Sequence, residues 1–256
     1  MGLSPASGSL GAKPAGAVDE ATAAAAVREM FDGIAPRYDL LNHVLSLNID
    51  HWWWWRTARR FRDVLVRPDA VVLDLCCGTG DMTLALLNHR LDYSRPIIAA
   101  DFSHQMLVRG AAKFCGRGAI APKAIAIEAD ALHLPFADNS LDLITTAFGF
   151  RNLANYRAGL EEFHRVLRPG GQLGILDFSE PGGLLGKLYA FYFRRILPAI
   201  GSRLSGVTGP YAYLPNSVHN FPPPAQMREI MAAAGFGDVS WTPYTFGVAG
   251  LYRAVK

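Results

Sequence analysis

The sequence predicts an α/β protein: a mostly parallel, twisted sheet with helices packed on both faces. Three observations predict it. From Ala70 onward, short apolar runs alternate with stretches of helical periodicity at the spacing of strand–helix–strand units. The first of these runs leads directly into a Gly78-Thr79-Gly80 turn and then a helix. Acidic residues, Asp101 and Asp130, stand at the ends of the second and third runs, the edge where such sheets collect ligands.

The elements follow in chain order. Residues 1–26 are mainly small residues and Pro, with no basic start and no bulky apolar stretch, so they predict a disordered lead-in rather than a signal peptide. Residues 27–69 mix aromatic and polar side chains, and predict helical pieces broken at Pro36 that include the block His51-Trp52-Trp53-Trp54-Trp55-Arg56. Residues 70–256 are then one α/β domain. Its strands are expected at 71–75, 96–101, 123–128, 141–147 and 171–178, with Ser103 an N-cap for the helix after the second strand and a helix at 154–167. Residues 181–220 are apolar and aromatic but irregular, an expected cover or insertion. The tail predicts a helix from Ala225 to Ala234 stopped by Gly235, then two strands, one around Trp241 and one at 247–255.

Composition narrows the function. Half of the 256 residues are apolar and 18% are charged, the make-up of a globular chain long enough to bury its own core. The 25 basic and 22 acidic residues leave a net charge of +3, too small to argue for nucleic acid. Three cysteines, Cys76, Cys77 and Cys115, are an odd count with two adjacent, which disfavours a disulfide framework and points to a cytoplasmic setting. No uninterrupted apolar run approaches the ~18 residues of a spanning helix. The seven histidines are scattered, with no His-Glu-x-x-His and no spaced cysteine pair, so no metal is expected.

The loop Asp74-Leu75-Cys76-Cys77-Gly78-Thr79-Gly80-Asp81 carries the chemistry. Glycines at 78 and 80 let backbone approach a ligand with no Cβ in the way. Asp101 is placed to accept bonds from both hydroxyls of a ribose. A dinucleotide fold would want a third glycine near position 83, which is Thr83, and no Gly-Lys-Ser/Thr phosphate loop is present. A ligand with ribose and adenine but no phosphate is S-adenosyl-L-methionine. The missing pyrophosphate glycine also weighs against the rival reading, a nicotinamide-dependent oxidoreductase. Cys76 and Cys77 are expected to be small packing residues rather than nucleophiles.

From Asp74 through Ser179 the chain resembles a Rossmann-like class I methyltransferase. Three more specific pieces are Phe31-Asp32-x-Ile34-Ala35-x-x-Tyr38-Asp39-x-Leu41-Asn42, Phe148-Gly149-Phe150-Arg151-Asn152 and Arg165-Val166-Leu167-Arg168-Pro169-Gly170-Gly171. They resemble the demethylmenaquinone and ubiquinone-biosynthesis C-methyltransferase family. The likeness continues through Leu197-Pro198-x-Ile200-Gly201, Tyr211-x-Tyr213-Leu214 and Gly247-Val248-Ala249, and so covers about 27–256. It implies a C-terminal antiparallel strand, a helical lid at 27–69 and a methyltransferase domain at 70–256. It also implies that Asp74, Gly78, Thr79 and Gly80 form the cofactor loop, with Thr79 at the methionine end, Asp101 at the ribose, and Asp130 with Ala131 at the adenine. Ala147, where the family often has serine, borders the same site. His51, one tryptophan and Arg56 fit the family pattern, and the additional tryptophans depart from it.

The implied reaction is methylation of a ring carbon of a prenylated quinol, demethylmenaquinol to menaquinol, with a benzoquinol or another lipid-like small molecule as the alternative. Such a reaction needs an electron-rich ring, a carbon in line with the sulfonium methyl, and an exit for the ring proton. Arg151, just past the fourth strand, is the expected stabiliser of phenolate charge. Tyr38, Asp39 and Asn42 on the lid are expected substrate contacts, and His51 is the candidate base. The substrate lives in a bilayer, which makes a peripheral position at the inner face of the membrane the expectation. Trp52 to Trp55 followed by Arg56, Arg59, Arg60 and Arg62, and the similar Leu188–Arg195 stretch, suit a lipid headgroup region. Four successive tryptophans also go all round a helix, so one or two must pack inward. A homo-oligomer completes the expected partners.

Overall fold

The computed structural model describes residues 10–12, 14, 16–35, 46, 48–91, 94–114, 123–181 and 209–256. The order of elements is α1 (Glu20–Ile34), α2 (Ile49–Arg59), α3 (Arg62–Leu65), β1 (Val72–Leu75), α4 (Asp81–Leu87), β2 (Ile97–Asp101), α5 (His104–Phe114) and β3 (Ala124–Glu128). Then come β4 (Leu141–Ala147), α6 (Tyr156–Val166), β5 (Leu167–Phe178), α7 (Gly209–Asn220), α8 (Pro224–Ala233), β6 (Gly237–Tyr244) and β7 (Ala249–Val255). The sheet runs β3-β2-β1-β4-β5-β7-β6; β1 to β5 are parallel, and β7 is antiparallel to both its neighbours. The strand order reverses beside β1. β2 pairs with it on one side (Leu73 opposite Ile98) and β4 on the other (Leu73 opposite Ile144), which opens a crevice at their carboxyl ends.

Burial follows the two-residue period of the strands. Leu73 and Leu75 of β1 belong to a core with Phe150, Leu160, Phe163, Met227, Met231 and Tyr252. Val72 faces the opposite core, with Trp53, Trp54, Phe61, Leu86, Leu143 and Leu251. Both faces of the sheet are therefore dry: every residue of β1 and six of the seven of β4 are buried, Asp74, Asp142, Thr145 and Thr146 among them. In α2 the buried positions are 50, 53, 54, 57 and 58, one stripe of a 3.6-residue helix, while Trp52 and Trp55 are 42% and 44% exposed.

Two differences from expectation have local causes. β5 starts at Leu167, not Gly171, because the Arg-Pro-Gly-Gly turn is absorbed into the strand: Gly170 takes φ +79° and its N–H bonds to the Lys256 carbonyl at 2.8 Å. The second lies in the expected irregular cover, where the described portion, 209–220, is helical despite Pro215 inside it. A proline there removes one helix hydrogen bond, a cost tertiary packing can offset. The rest of that cover, with the Leu188–Arg195 stretch, lies outside the described residues, as do Tyr38, Asp39 and Asn42.

Candidate active site

The loop after β1 is held in shape by its neighbours. Cys76, Gly78 and Gly80 all have positive φ. The Cys77 N–H donates to the Ala100 carbonyl at 3.0 Å and that of Gly80 to Cys77 at 2.8 Å, so the turn closes against β2. Gly80 must be glycine: φ is +87°, and a Cβ would lie 2.4 Å from the Phe114 ring. Gly149 is constrained from the other side, where a Cβ would fall 2.3 Å from that of Cys76. The loops after β1 and β4 thus touch backbone to side chain.

Between these loops lies a cavity of about 740 Å³, mouth included. Gly78, Asp101, Asp130, Ala131 and Ala147 line it, all of them expected there. Asp74, Thr79 and Gly80 do not. Asp74 is fully buried beneath the loop, accepting from Thr83 Oγ1 at 2.6 Å and Thr145 Oγ1 at 3.1 Å. Burial, tempered by those two bonds, raises its pKa to about 7. Thr83, standing where a dinucleotide fold would carry glycine, has its own task as Asp74's partner.

Asp101 is the polar centre of the cavity. Its Oδ2 accepts the Gly78 N–H at 2.8 Å and its Oδ1 that of Ser103 at 2.9 Å. A carboxylate has about four lone-pair sites, so acceptor capacity is left for a ligand. Burial is the main cause of a pKa raised to about 6; the backbone donors of Ser103, Gly78 and Phe102 pull it back, and Asp32 pushes it up. Asp130 Oδ1 accepts the Leu132 N–H at 2.9 Å, fixing the turn that presents Ala131.

Sequence reasoning missed much of the wall. Phe102, Met106, Ala129 and Leu132 give it apolar surface, Asn152 and Leu153 close the side after β4, and Ala24 and Phe31 of α1 reach in from above. The α1 helix is tied down where Ser103 Oγ donates to Asp32 Oδ1. The signal was partly visible: Phe31, Asp32 and Asn152 all lie inside the motif pieces.

Two expected catalytic residues sit elsewhere. Arg151 is 5% exposed and does not line the cavity. Its guanidinium meets Asp177 at 3.0 Å, the Phe148 carbonyl, and Ser217 Oγ at 3.4 Å, and its backbone N–H donates to Asp177 Oδ2 at 3.0 Å. These contacts occupy the charge that was expected to face a phenolate. Asn152, its neighbour, lines the cavity together with Phe148 and Gly149 of the same segment; its Oδ1 accepts from Tyr213 Oη at 3.1 Å. His51 is exposed on α2, edge-on to Trp54 at 5.5 Å and not among the cavity residues. Burial raises the thiol pKa of Cys76 and Cys77 well above the usual range; Cys77 is packed in the core, whereas Cys76 lines the cavity.

The donor set fits a sulfonium nucleoside. Among the described residues no Lys, Arg or His lines the cavity, and two carboxylates and apolar walls suit a ribose, an adenine and a cationic centre. The sheet order, the glycine loop after β1 and the buried carboxylate after β2 together define an S-adenosylmethionine-dependent methyltransferase. Solved structures share this fold at low identity. One is a SAM-dependent methyltransferase from Aquifex aeolicus (TM-score 0.55, 18% identity, 78% of this chain and 88% of that one). Another is a possible histamine N-methyltransferase from Thermotoga maritima (TM-score 0.58, 16% identity, 89% and 99%).

The chain belongs to the ubiE/COQ5 methyltransferase family, whose sequence profile matches residues 18–256. Relatives include the demethylmenaquinone methyltransferases of Deinococcus radiodurans (43% identical, 90% of this chain and 92% of that one) and Thermus thermophilus (45%, 87% and 98%). The ubiquinone/menaquinone biosynthesis C-methyltransferase UbiE of Geotalea daltonii is 42% identical over 90% and 96%.

Proposed function

We propose that this methyltransferase methylates a ring carbon of a prenylated quinol, demethylmenaquinol giving menaquinol. The observation that carries the reading is a cavity with an ionisable carboxylate at one end, an aromatic and amide wall at the other, and relatives named for this reaction. S-adenosylmethionine, when bound, supplies a methyl group on a positively charged sulfur. Asp101 would take the ribose hydroxyls on its remaining acceptor capacity, and Ala131 and Leu132 would pack the adenine, with Asp130 beside it. Ala147 and Phe148 border the space left for the ring.

Asn152 is the side chain placed to hydrogen-bond a ring hydroxyl, and its amide is itself held by Tyr213. Arg151 acts one step back: by fixing the Phe148 carbonyl and Asp177 it sets the path of the loop that carries Phe148 and Asn152. The α1 helix, whose Ala24 and Phe31 line the cavity, serves as a lid that keeps water from the transferring methyl. A prenylated quinol is dissolved in lipid, so the enzyme works at a membrane surface. No described helix is long and apolar enough to cross a membrane.

The test is a methyl-transfer assay on reduced naphthoquinol and benzoquinol carrying short prenyl tails. Turnover on the naphthoquinol is the expected result. Tight cofactor binding with no turnover on either quinol would overturn the proposal.

A further inference from the structure

We propose that the exposed side of α2 and the tight turn between β6 and β7 form one docking face for an anionic lipid bilayer, with Phe246, Trp52 and Trp55 entering the headgroup region. This rests on the reading above only in that a bilayer-dissolved substrate needs such a face. Phe246 is 82% exposed and holds φ +57°, a left-handed backbone that favours glycine. A large apolar side chain at such a position gains the fold nothing by burial.

The turn around Phe246 is nevertheless pinned. Trp53 Nε1 donates to Thr245 Oγ1 at 2.8 Å, Ser179 Oγ to the Gly247 carbonyl at 2.6 Å, and the Val248 N–H to Thr245 at 3.1 Å. A rigidly presented, solvent-facing phenylalanine is what insertion into an interface requires, because no ordering cost is left to meet on binding.

The neighbours have the matching chemistry. Trp52 lies 5.8 Å from the Tyr244 ring at the base of the turn, and Arg56 sits over both rings, 5.0 Å from Trp52 and 4.8 Å from Tyr244. One turn on, Arg59 stacks over Trp55 at 5.3 Å. Arg59, Arg60 and Arg62 are exposed, and among the described residues none of them, nor Arg56, forms an ion pair with a carboxylate. Indole rings flanked by unneutralised arginines complement anionic headgroups.

The face also stands at the correct end of the molecule. Ala249, just after the turn, pairs with Phe178 at the carboxyl end of β5, the same edge that carries the cavity. An aromatic path joins the two: Phe148, in the cavity wall, lies 4.5 Å from Phe178 and 5.7 Å from Trp53, and Trp53 bonds to the turn. A prenyl tail leaving the cavity along this path emerges beside Phe246, where a membrane would receive it.

The experiment is co-sedimentation of the full chain with phosphatidylcholine vesicles, with and without phosphatidylglycerol, for wild type, Phe246→Ser and Arg59→Glu/Arg60→Glu. Wild type should prefer the anionic vesicles and lose that preference in salt. Each variant should bind about tenfold less, with circular dichroism and thermal midpoint unchanged. Both variants should methylate a short-tailed soluble quinol at the wild-type rate and a long-tailed quinol in vesicles more slowly. Wild-type indifference to vesicles, or variants that bind like wild type, would overturn the proposal. So would equal losses on both substrates, or a wild-type dimer that Phe246→Ser dissociates while vesicle binding persists, since the face would then belong to a second copy. Vesicle binding as expected with no turnover on any quinol would sink the proposed reaction and leave the docking face standing.

Discussion

In the proposed site Asp101 would take the ribose hydroxyls, which a carboxylate does well only when ionised, yet burial raises its pKa to about 6. Cofactor affinity of the wild type should therefore fall as pH drops through 6. Asp101→Asn should bind S-adenosylmethionine roughly ten- to a hundredfold more weakly at pH 7.5, through loss of charge-assisted bonds, and show a flat profile. Titration calorimetry between pH 5 and 7.5 checks both; a wild type with no slope would remove Asp101 from the ribose. Asp74 is raised likewise, but its effect on stability runs the other way with pH. Its folded pKa of about 7 is raised above the unfolded value, so the folded state holds a proton the unfolded chain has lost. Its contribution is complete below about pH 4 and lost as pH rises through 7. Asp74→Asn should then flatten the decline in unfolding free energy across that window, read by urea melts. Arg151 and Asp177 are a third case. Arg151→Met strands a buried carboxylate and should cost about 3–5 kcal/mol, much of it recovered in Arg151→Met/Asp177→Leu. A single variant that melts like wild type but no longer turns over would instead return Arg151 to direct contact with substrate.

Elements are joined here at a few close approaches, and these fail in recognisable ways. Gly80 caps the start of α4 and meets Phe114 at the end of α5. Gly80→Ala combines a left-handed backbone cost of about 1–2 kcal/mol with overpacking of about 1–3 kcal/mol. Adding Phe114→Ala to Gly80→Ala should relieve the overpacking but not the backbone cost, which chemical denaturation of the two variants would resolve. The α1 helix begins with a capping box, Asp19 and Thr22, and reaches the site through Phe31 and Asp32. Asp32→Ala frees Ser103 Oγ and loosens α1. It should speed protease cutting within 20–34 and weaken cofactor binding several-fold, while the sheet, probed by thermal melting, stays intact.

For the molecule as a whole, the electron demand of the proposed reaction decides what it will accept. A quinone ring is electrophilic and cannot attack a sulfonium methyl, so turnover should be absent without reductant and appear once the quinone is reduced. Product formation from the oxidised form would contradict ring-carbon attack. The two-faced core explains why a site of small loops stays fixed: β1 and β4 are covered on both sides, and each loop leaves a strand that cannot shift.

The sequence by itself determined the layered sheet, the order of strands and helices after Ala70, the glycine loop and the acidic residue after β2. Each of these is written locally, in a two- or 3.6-residue period, a turn residue or a short spacing. It also required part of the tryptophan block to pack inward, since consecutive residues on a helix point about 100° apart. Only the tertiary structure left Asp74 and Thr79 buried outside the cavity lining while Asp130 and Ala131 face it. It alone spent Arg151 on Asp177, a partner on the neighbouring strand, and gave the cavity wall to Asn152 one residue on. Period tells a residue that it is buried; whether it faces a core, a partner charge or a cavity depends on segments that meet only when the chain has folded.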